Sequence, residues 1–144
     1  MVWVPGYEEI PISVSGYFDS NIRITVAKRG DTTEALHKFH ENEYLCIRGP
    51  FGTHVPIEKK RYLLVGGGYG IAPLMYLAHE LFDKNIEFTI SIGASTKENV
   101  IFINEAKEIA NEVIIATDDG SYGFHGRITD AIKNSISSFD LIVG

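Results

Sequence analysis

Apolar and polar positions along the chain follow two different rhythms, and the change falls near "HVPIEKKR" at residues 54–61. Before it, short segments rich in β-branched and aromatic residues are separated by turn residues: "MVWV", "IPISVS", "IRITVAK" and "EYLCIRG". That is the pattern of strands. In "IRITVAK", Ile22, Ile24 and Val26 fall on one face and Arg23 and Thr25 on the other, the two-residue period of a half-buried strand. One helical interruption, "DTTEALHKFH", has Asp31 in the place of an N-cap, Glu34 three residues on, and a narrow apolar stripe of Leu36 and Phe39. This half predicts a small all-β unit with one short helix.

After Lys60 strands and helices alternate. "RYLLVG" predicts a strand and the segment from about Pro73 to Asp83 a helix; "IEFTISIG" and "KENVIFINEAKEIA" repeat the pair. "EVIIAT", "GRITDAIKNSI" and "FDLIVG" complete the series as strand, helix and strand. Strands apolar on both faces, alternating with helices, imply a parallel sheet covered on both sides, and right-handed crossovers make it a Rossmann-like sandwich. The chain is therefore expected to divide into residues 1–58 and 59–144. It starts inside an apolar strand and stops on "LIVG" without a following helix. The expectation is a piece of a larger protein or a shortened member of a family.

Composition narrows the partners. The apolar fraction of 44% and charged fraction of 22% are ordinary for a soluble domain. A net charge of −6 argues against nucleic acid or an anionic membrane, which reward a basic face. The single cysteine, Cys46, excludes an internal disulfide and a cysteine-ligated zinc or iron–sulfur site within one chain. In "EYLCIRG" it is expected to be a small buried hydrophobe. No apolar run reaches membrane-spanning length and the first residues lack a charged leader pattern, so the expected location is the cytoplasm.

The chemistry-bearing motif is "GGGYGIAP", residues 66–73, between the first strand of the second half and its helix. Glycines let backbone N–H groups approach a pyrophosphate, and the helix start adds free N–H groups and a favourable dipole. Pro73 suits the first helical turn. Gly66 and Gly68 match the dinucleotide fingerprint, but Ile71 stands where its third glycine belongs; the pattern is Gly68-x-Gly70-x-x-Pro73. A tight turn without a ligand is the alternative. Of His37, His40, His54, His79 and His125, only His37 and His40 could face one side of a helix, where a surface pair is far commoner than a ligand pair; no nucleophile elbow or P-loop lysine is present. Tyr69 and Tyr122 are either stacking platforms for a nucleotide or plain surface aromatics.

With this loop the sequence resembles the ferredoxin–NAD(P) reductase superfamily, and within it the electron-transfer subunits of dihydroorotate dehydrogenase. The stretches "EIPISVS", "GPFGTHV", "LLVGGGYGIAPL", "ENVIF" and "ATDDGSYGFHGRITD" carry the resemblance across nearly the whole chain. It implies a partial antiparallel flavin-binding β-barrel followed by an NAD-binding α/β domain. NADH would pass a hydride to FAD, which would release electrons singly to a partner dihydroorotate dehydrogenase catalytic subunit in an oligomer, in pyrimidine biosynthesis. Neither nucleic acid nor a membrane is implied as a partner.

The resemblance also implies site residues. Pro11, Ile12 and Ser13 match the flavin motif, with the Ser13 hydroxyl near the reactive flavin nitrogen. Ile10 occupies the place of the family's arginine, which removes a charge expected near the flavin diphosphate, and Ala27 lacks a basic side chain often found there; Lys28 or Arg29 is the candidate to replace the lost charge. Thr25, Val26 and Ala27 match the second flavin-contacting strand, and Thr32 and Thr33 a phosphate-binding turn that also reads as a capping box. Gly49 and Gly52 match a turn passing close to the nucleotide. Gly66, Gly67, Gly68, Gly70, Ile71, Ala72 and Pro73 form the nucleotide loop. Asp118 and Asp119 would repel a 2′-phosphate, favouring NADH, unless they are solvated loop acids or Lys97 or Arg127 lies beside them. The family's first two barrel strands, its Cys-Gly-Pro motif and its iron–sulfur cysteines have no counterpart here, so no cluster is expected in this chain. Alternatives are a non-catalytic nucleotide- or partner-binding module, or the related reductase subunit of a hydrogenase or sulfide dehydrogenase.

Overall fold

A computed structural model describes residues 1–53 and 55–144. His54, one of the histidines surveyed above, lies outside the described residues. The first half contains β1 (Val2–Trp3), β2 (Val14–Phe18), β3 (Asn21–Ile24), α1 (Asp31–Leu36) and β4 (Cys46–Ile47). β1 pairs antiparallel with β4, and β2 with β3. The β2–β3 hairpin turns through Asp19 and Ser20, both at positive φ, which a two-residue hairpin loop requires. A bulge falls between Val14 and Gly16. Its extra residue, Ser15, is buried, and its hydroxyl bonds to the Arg23 carbonyl at 3.2 Å.

The second half runs β5 (Tyr62–Gly67), α2 (Ile71–Asp83), β6 (Phe88–Ala94), α3 (Ile103–Ile109), β7 (Glu112–Thr117), β8 (Phe124–His125), α4 (Ile128–Ile132) and β9 (Leu141–Val143). These strands form one parallel sheet in the order β8-β7-β6-β5-β9. Alternation along β5 explains its two-sided burial. Tyr62 and Leu64 pack with Met75, Ala78 and Leu81 of α2 and Ala106 of α3, whereas Leu63 packs with Ile128 and Ile132 of α4. The strand order reverses between β5 and β9, which makes the carboxyl end of β5 the switch point where ligands collect in open α/β sheets.

The α/β sandwich and antiparallel first half agree with the sequence expectation; several local details do not. Gly30, not Asp31, is the N-cap of α1: the Thr33 hydroxyl accepts from Gly30 N–H at 2.9 Å, and Asp31 is already helical. α1 stops at Leu36, so His37 and His40 share no helix. The strand expected over "EYLCIRG" shrinks to two residues, and Cys46 is exposed rather than buried. The expected helix at 97–110 is broken. A 3₁₀ turn over Lys97–Asn99 precedes extended Val100, and Phe102 caps α3 at φ 63°. β8 was not foreseen, because two residues show no period. No helix among the described residues is long and apolar enough to cross a membrane.

The halves meet through α2 and α3. Phe18 of β2 lies edge-on to His79 of α2 with ring centroids 4.8 Å apart. Arg23 of β3 forms a two-pronged ion pair with Glu105 of α3, at 3.0 and 2.7 Å. The connecting segment is tied down by Tyr62, whose hydroxyl accepts from Glu58 N–H at 2.9 Å and donates to the Pro56 carbonyl at 3.3 Å.

Candidate functional site

A cleft of about 320 Å³ lies where the antiparallel half faces the start of α2. Four separate stretches line it. Ile10, Pro11, Ile12 and Ser13 come from the segment leading into β2, and Thr25, Val26 and Ala27 from the extended chain after β3. Thr33 comes from α1, and Tyr69, Gly70, Ala72 and Pro73 from the glycine loop. The structure thus gathers residues from Ile10 to Pro73 that the sequence analysis singled out in separate stretches.

The glycine loop owes its shape to distinct local causes. A Cβ on Gly66 would sit 2.6 Å from the Ile71 Cα, so strand and helix can approach only without a side chain there. Gly68 adopts φ +53°, the left-handed region. Cβ atoms on Gly67, Gly68 and Gly70 would meet nothing within 4 Å. At those three positions the protein leaves open space where a side chain would stand. Ile71 is fully buried and anchors the helix start; Ala72 and Pro73 follow in the first turn of α2. Free N–H groups at such a helix start suit a phosphate.

The other candidates divide. Ser13 is exposed at the cleft, and its hydroxyl has no partner among the described residues. The Thr25 hydroxyl is already used, donating to Ser15 Oγ at 2.9 Å. Thr32 is buried and donates to the Glu8 carbonyl at 3.0 Å, so its hydroxyl holds α1 against the segment before β2. Thr33 is the member of that pair at the cleft. Gly49 and Gly52, at φ +147° and +95°, lie on an exposed turn outside the cleft lining.

Asp118 and Asp119 follow β7 at its carboxyl end and are exposed. The Asp119 carboxylate accepts from both the Ser121 hydroxyl at 2.6 Å and its N–H at 3.0 Å. Those two bonds hold its pKa below the ordinary aspartate value. The Ser121 hydroxyl in turn accepts from Lys97 N–H at 2.8 Å, and the Lys97 ammonium lies 5.7 Å from the Tyr122 ring. A cation therefore does stand beside this acidic loop.

A second cavity, about 390 Å³, is lined by Trp3, Glu9, Cys46, Ile47 and Arg48 and contains none of the predicted site residues. No group of three or more His, Cys, Asp or Glu among the described residues is placed to hold a metal ion.

Sequence reasoning offered Lys28 or Arg29 as the replacement for the lost charge without choosing between them. The Arg29 guanidinium lies 5.9 Å from the Tyr69 ring centroid, bridging the chain after β3 to the glycine loop. The basic pair "KR" was visible in the sequence, but its direction was not.

No family model matches the chain. It is 35% identical over 145 residues to the probable dihydroorotate dehydrogenase B (NAD(+)) electron transfer subunit of Methanocaldococcus jannaschii, covering 99% of this chain and 54% of the relative. It is 40% identical over 143 residues to the corresponding Pyrococcus furiosus protein, covering 99% and 55%. The chain thus spans about half the length of the curated relatives it matches. Among solved structures, an NADH-dependent reduced ferredoxin-NADP oxidoreductase, described for flavin-based electron bifurcation, superimposes with a TM-score of 0.73 at 35% identity. That match covers 87% of this chain and 46% of the other. The chain has the ferredoxin–NADP reductase fold and is related, along nearly all its residues, to the electron transfer subunits of dihydroorotate dehydrogenase B.

Proposed function

We propose that this chain is an electron-transfer flavoprotein component that passes reducing equivalents between NADH and a partner dihydroorotate dehydrogenase catalytic subunit in the cytoplasm, with FAD as carrier. Residues 1–58 serve the flavin and residues 59–144 the pyridine nucleotide. The observation that carries the reading is the convergence of residues 10–13, 25–27 and 33 with the open backbone of the glycine loop in one cleft.

The residues present fit a flavin dinucleotide. Ile12 and Val26 offer apolar contact for a flat ring and Ser13 offers a free hydroxyl, while across the cleft the bare backbone of Gly67–Gly70 admits close approach of the pyridine nucleotide's diphosphate. When bound, FAD supplies the conversion between two-electron hydride chemistry and single-electron transfer. The chain's own contribution is to bind and orient. Ser13 would offer its hydroxyl to the flavin, the N-terminal amides of α2 would meet the pyridine nucleotide's phosphate, and buried Ile71 fixes the helix start. Asp118 and Asp119 give the nucleotide side an acidic loop that favours NADH, tempered by Lys97 beside it.

Ile10 favours a second reading, a nucleotide- or partner-binding module without flavin. Its backbone is bridged to Val2 on both sides, at 2.8 and 2.9 Å, and its apolar side chain brings no charge to the cleft. A visible-absorbance titration of the purified chain with FAD, then NADH, separates the readings. A perturbed flavin spectrum that bleaches anaerobically with NADH supports the first; a chain that leaves the FAD spectrum unchanged contradicts it.

A further inference from the structure

The cleft is built almost without charge. Among the described residues Tyr69 is its one ionisable lining residue, and no lysine or arginine lines it. A dinucleotide diphosphate carries two negative charges, and desolvating them without a nearby cation is costly. Of the two cations that follow Ala27, Lys28 is committed elsewhere. Its ammonium lies 3.0 Å from the Glu34 carboxylate, which Lys38 also approaches at 3.8 Å.

Arg29 is different. It makes no ion pair among the described residues, and its guanidinium lies 5.9 Å from the ring of Tyr69, itself a cleft residue. Its backbone is pinned as well. Thr33 Oγ1 accepts from Arg29 N–H and from Gly30 N–H, both at 2.9 Å, and donates to the Gly30 carbonyl at 2.8 Å. Thr33 thus fixes the turn carrying Arg29 at the lip of the cleft. A guanidinium resting on an aromatic face keeps its in-plane N–H donors free for oxygen acceptors.

We infer that Arg29, steadied by Tyr69 and Thr33, is the cation that grips the ligand's diphosphate. The inference rests on the proposed flavin reading and adds a specific residue to it. It implies that affinity depends on the diphosphate rather than on the ring, and that it falls with salt through this one side chain.

The test is binding of FAD and of riboflavin, which lacks the diphosphate, to the full chain by fluorescence quenching at several salt concentrations. Arg29→Ala is expected to weaken FAD about tenfold, as loss of a charge-assisted contact does, to change riboflavin less than about twofold, and to flatten the salt dependence. Arg29→Lys should recover part of the loss, and Lys28→Ala should leave FAD affinity near that of the parent. Equal FAD affinity in Arg29→Ala and the parent overturns the inference and leaves the flavin reading standing. So does an equal loss of both ligands, which marks a structural role. If the parent chain binds no FAD, both fall together.

Discussion

Arg23 and Glu105, 82 residues apart, join the antiparallel half to the α/β half through a two-pronged ion pair at 2.7 and 3.0 Å. Around it, the Arg23 guanidinium stacks near Phe18 and Phe102, each 5.1 Å away, and donates to the Ser15 carbonyl at 2.8 Å. His79 approaches the same carboxylate at 2.6 Å. The pair is about a quarter to a third exposed, so removing one partner leaves a partly desolvated charge. Arg23→Ala is expected to lower unfolding free energy by about 1–2 kcal/mol, discounted from a fully buried pair for residual solvent. Urea unfolding checks it. The cleft should suffer with it, because β2 and β3 lead into two of its walls.

The same carboxylate sets a pH dependence. Burial raises the Glu105 pKa, but hydrogen bonds from Arg23 and His79 outweigh that, and the net shift is below the usual glutamate value. The unfolded chain then binds more protons than the native one through this window, so stability rises with pH across it. The contribution is fully present above the ordinary glutamate pKa and is lost as pH falls through the depressed native value. Glu105→Gln should be less stable than the parent at neutral pH and show a shallower loss on acidification. Urea unfolding at a series of pH values compares the slopes.

The glycines of the loop should separate fold from binding. Gly66→Ala forces a Cβ against the Ile71 backbone at 2.6–2.8 Å and is expected to cost about 2 kcal/mol or more. Gly67 has an extended backbone (φ −100°, ψ 127°) and open space around it. Gly67→Ala should therefore fold as the parent does, while weakening the dinucleotide that needs the bare backbone. Thermal unfolding reads the first effect and ligand titration the second.

Cys46 offers a simple check on the first half. Because it is exposed on β4, it should react promptly with an aromatic disulfide reagent in the native protein, with no slow phase waiting on unfolding.

What was legible in the sequence follows from how local each signal is. β5 and β7 announce themselves through unbroken apolar stretches, β6 through Phe88, Ile90 and Ile92 alternating with Thr89 and Ser91, and the glycine loop because Gly66 and Gly68 answer to local backbone demands. The helix expected at 97–110 breaks at Phe102, whose left-handed backbone runs against the preference of a bulky side chain. β8 is only two residues held by pairing with Ala116 and Thr117. The ion pair of Arg23 and the reach of Arg29 to Tyr69 depend on chain segments far apart in sequence, and no local period encodes them. The cleft's member residues were legible one stretch at a time through family resemblance; their convergence was not.

The central claim is that a flavin dinucleotide sits in the cleft between residues 10–13, 25–27 and the glycine loop. Amide hydrogen exchange of the full chain with and without FAD tests it most directly. Slowed exchange is expected at Ile12, Ser13, Thr25, Val26 and Ala27, with little change around Cys46. Unchanged exchange at those amides in the presence of saturating FAD, or protection confined to the far side of the sheet, would contradict it.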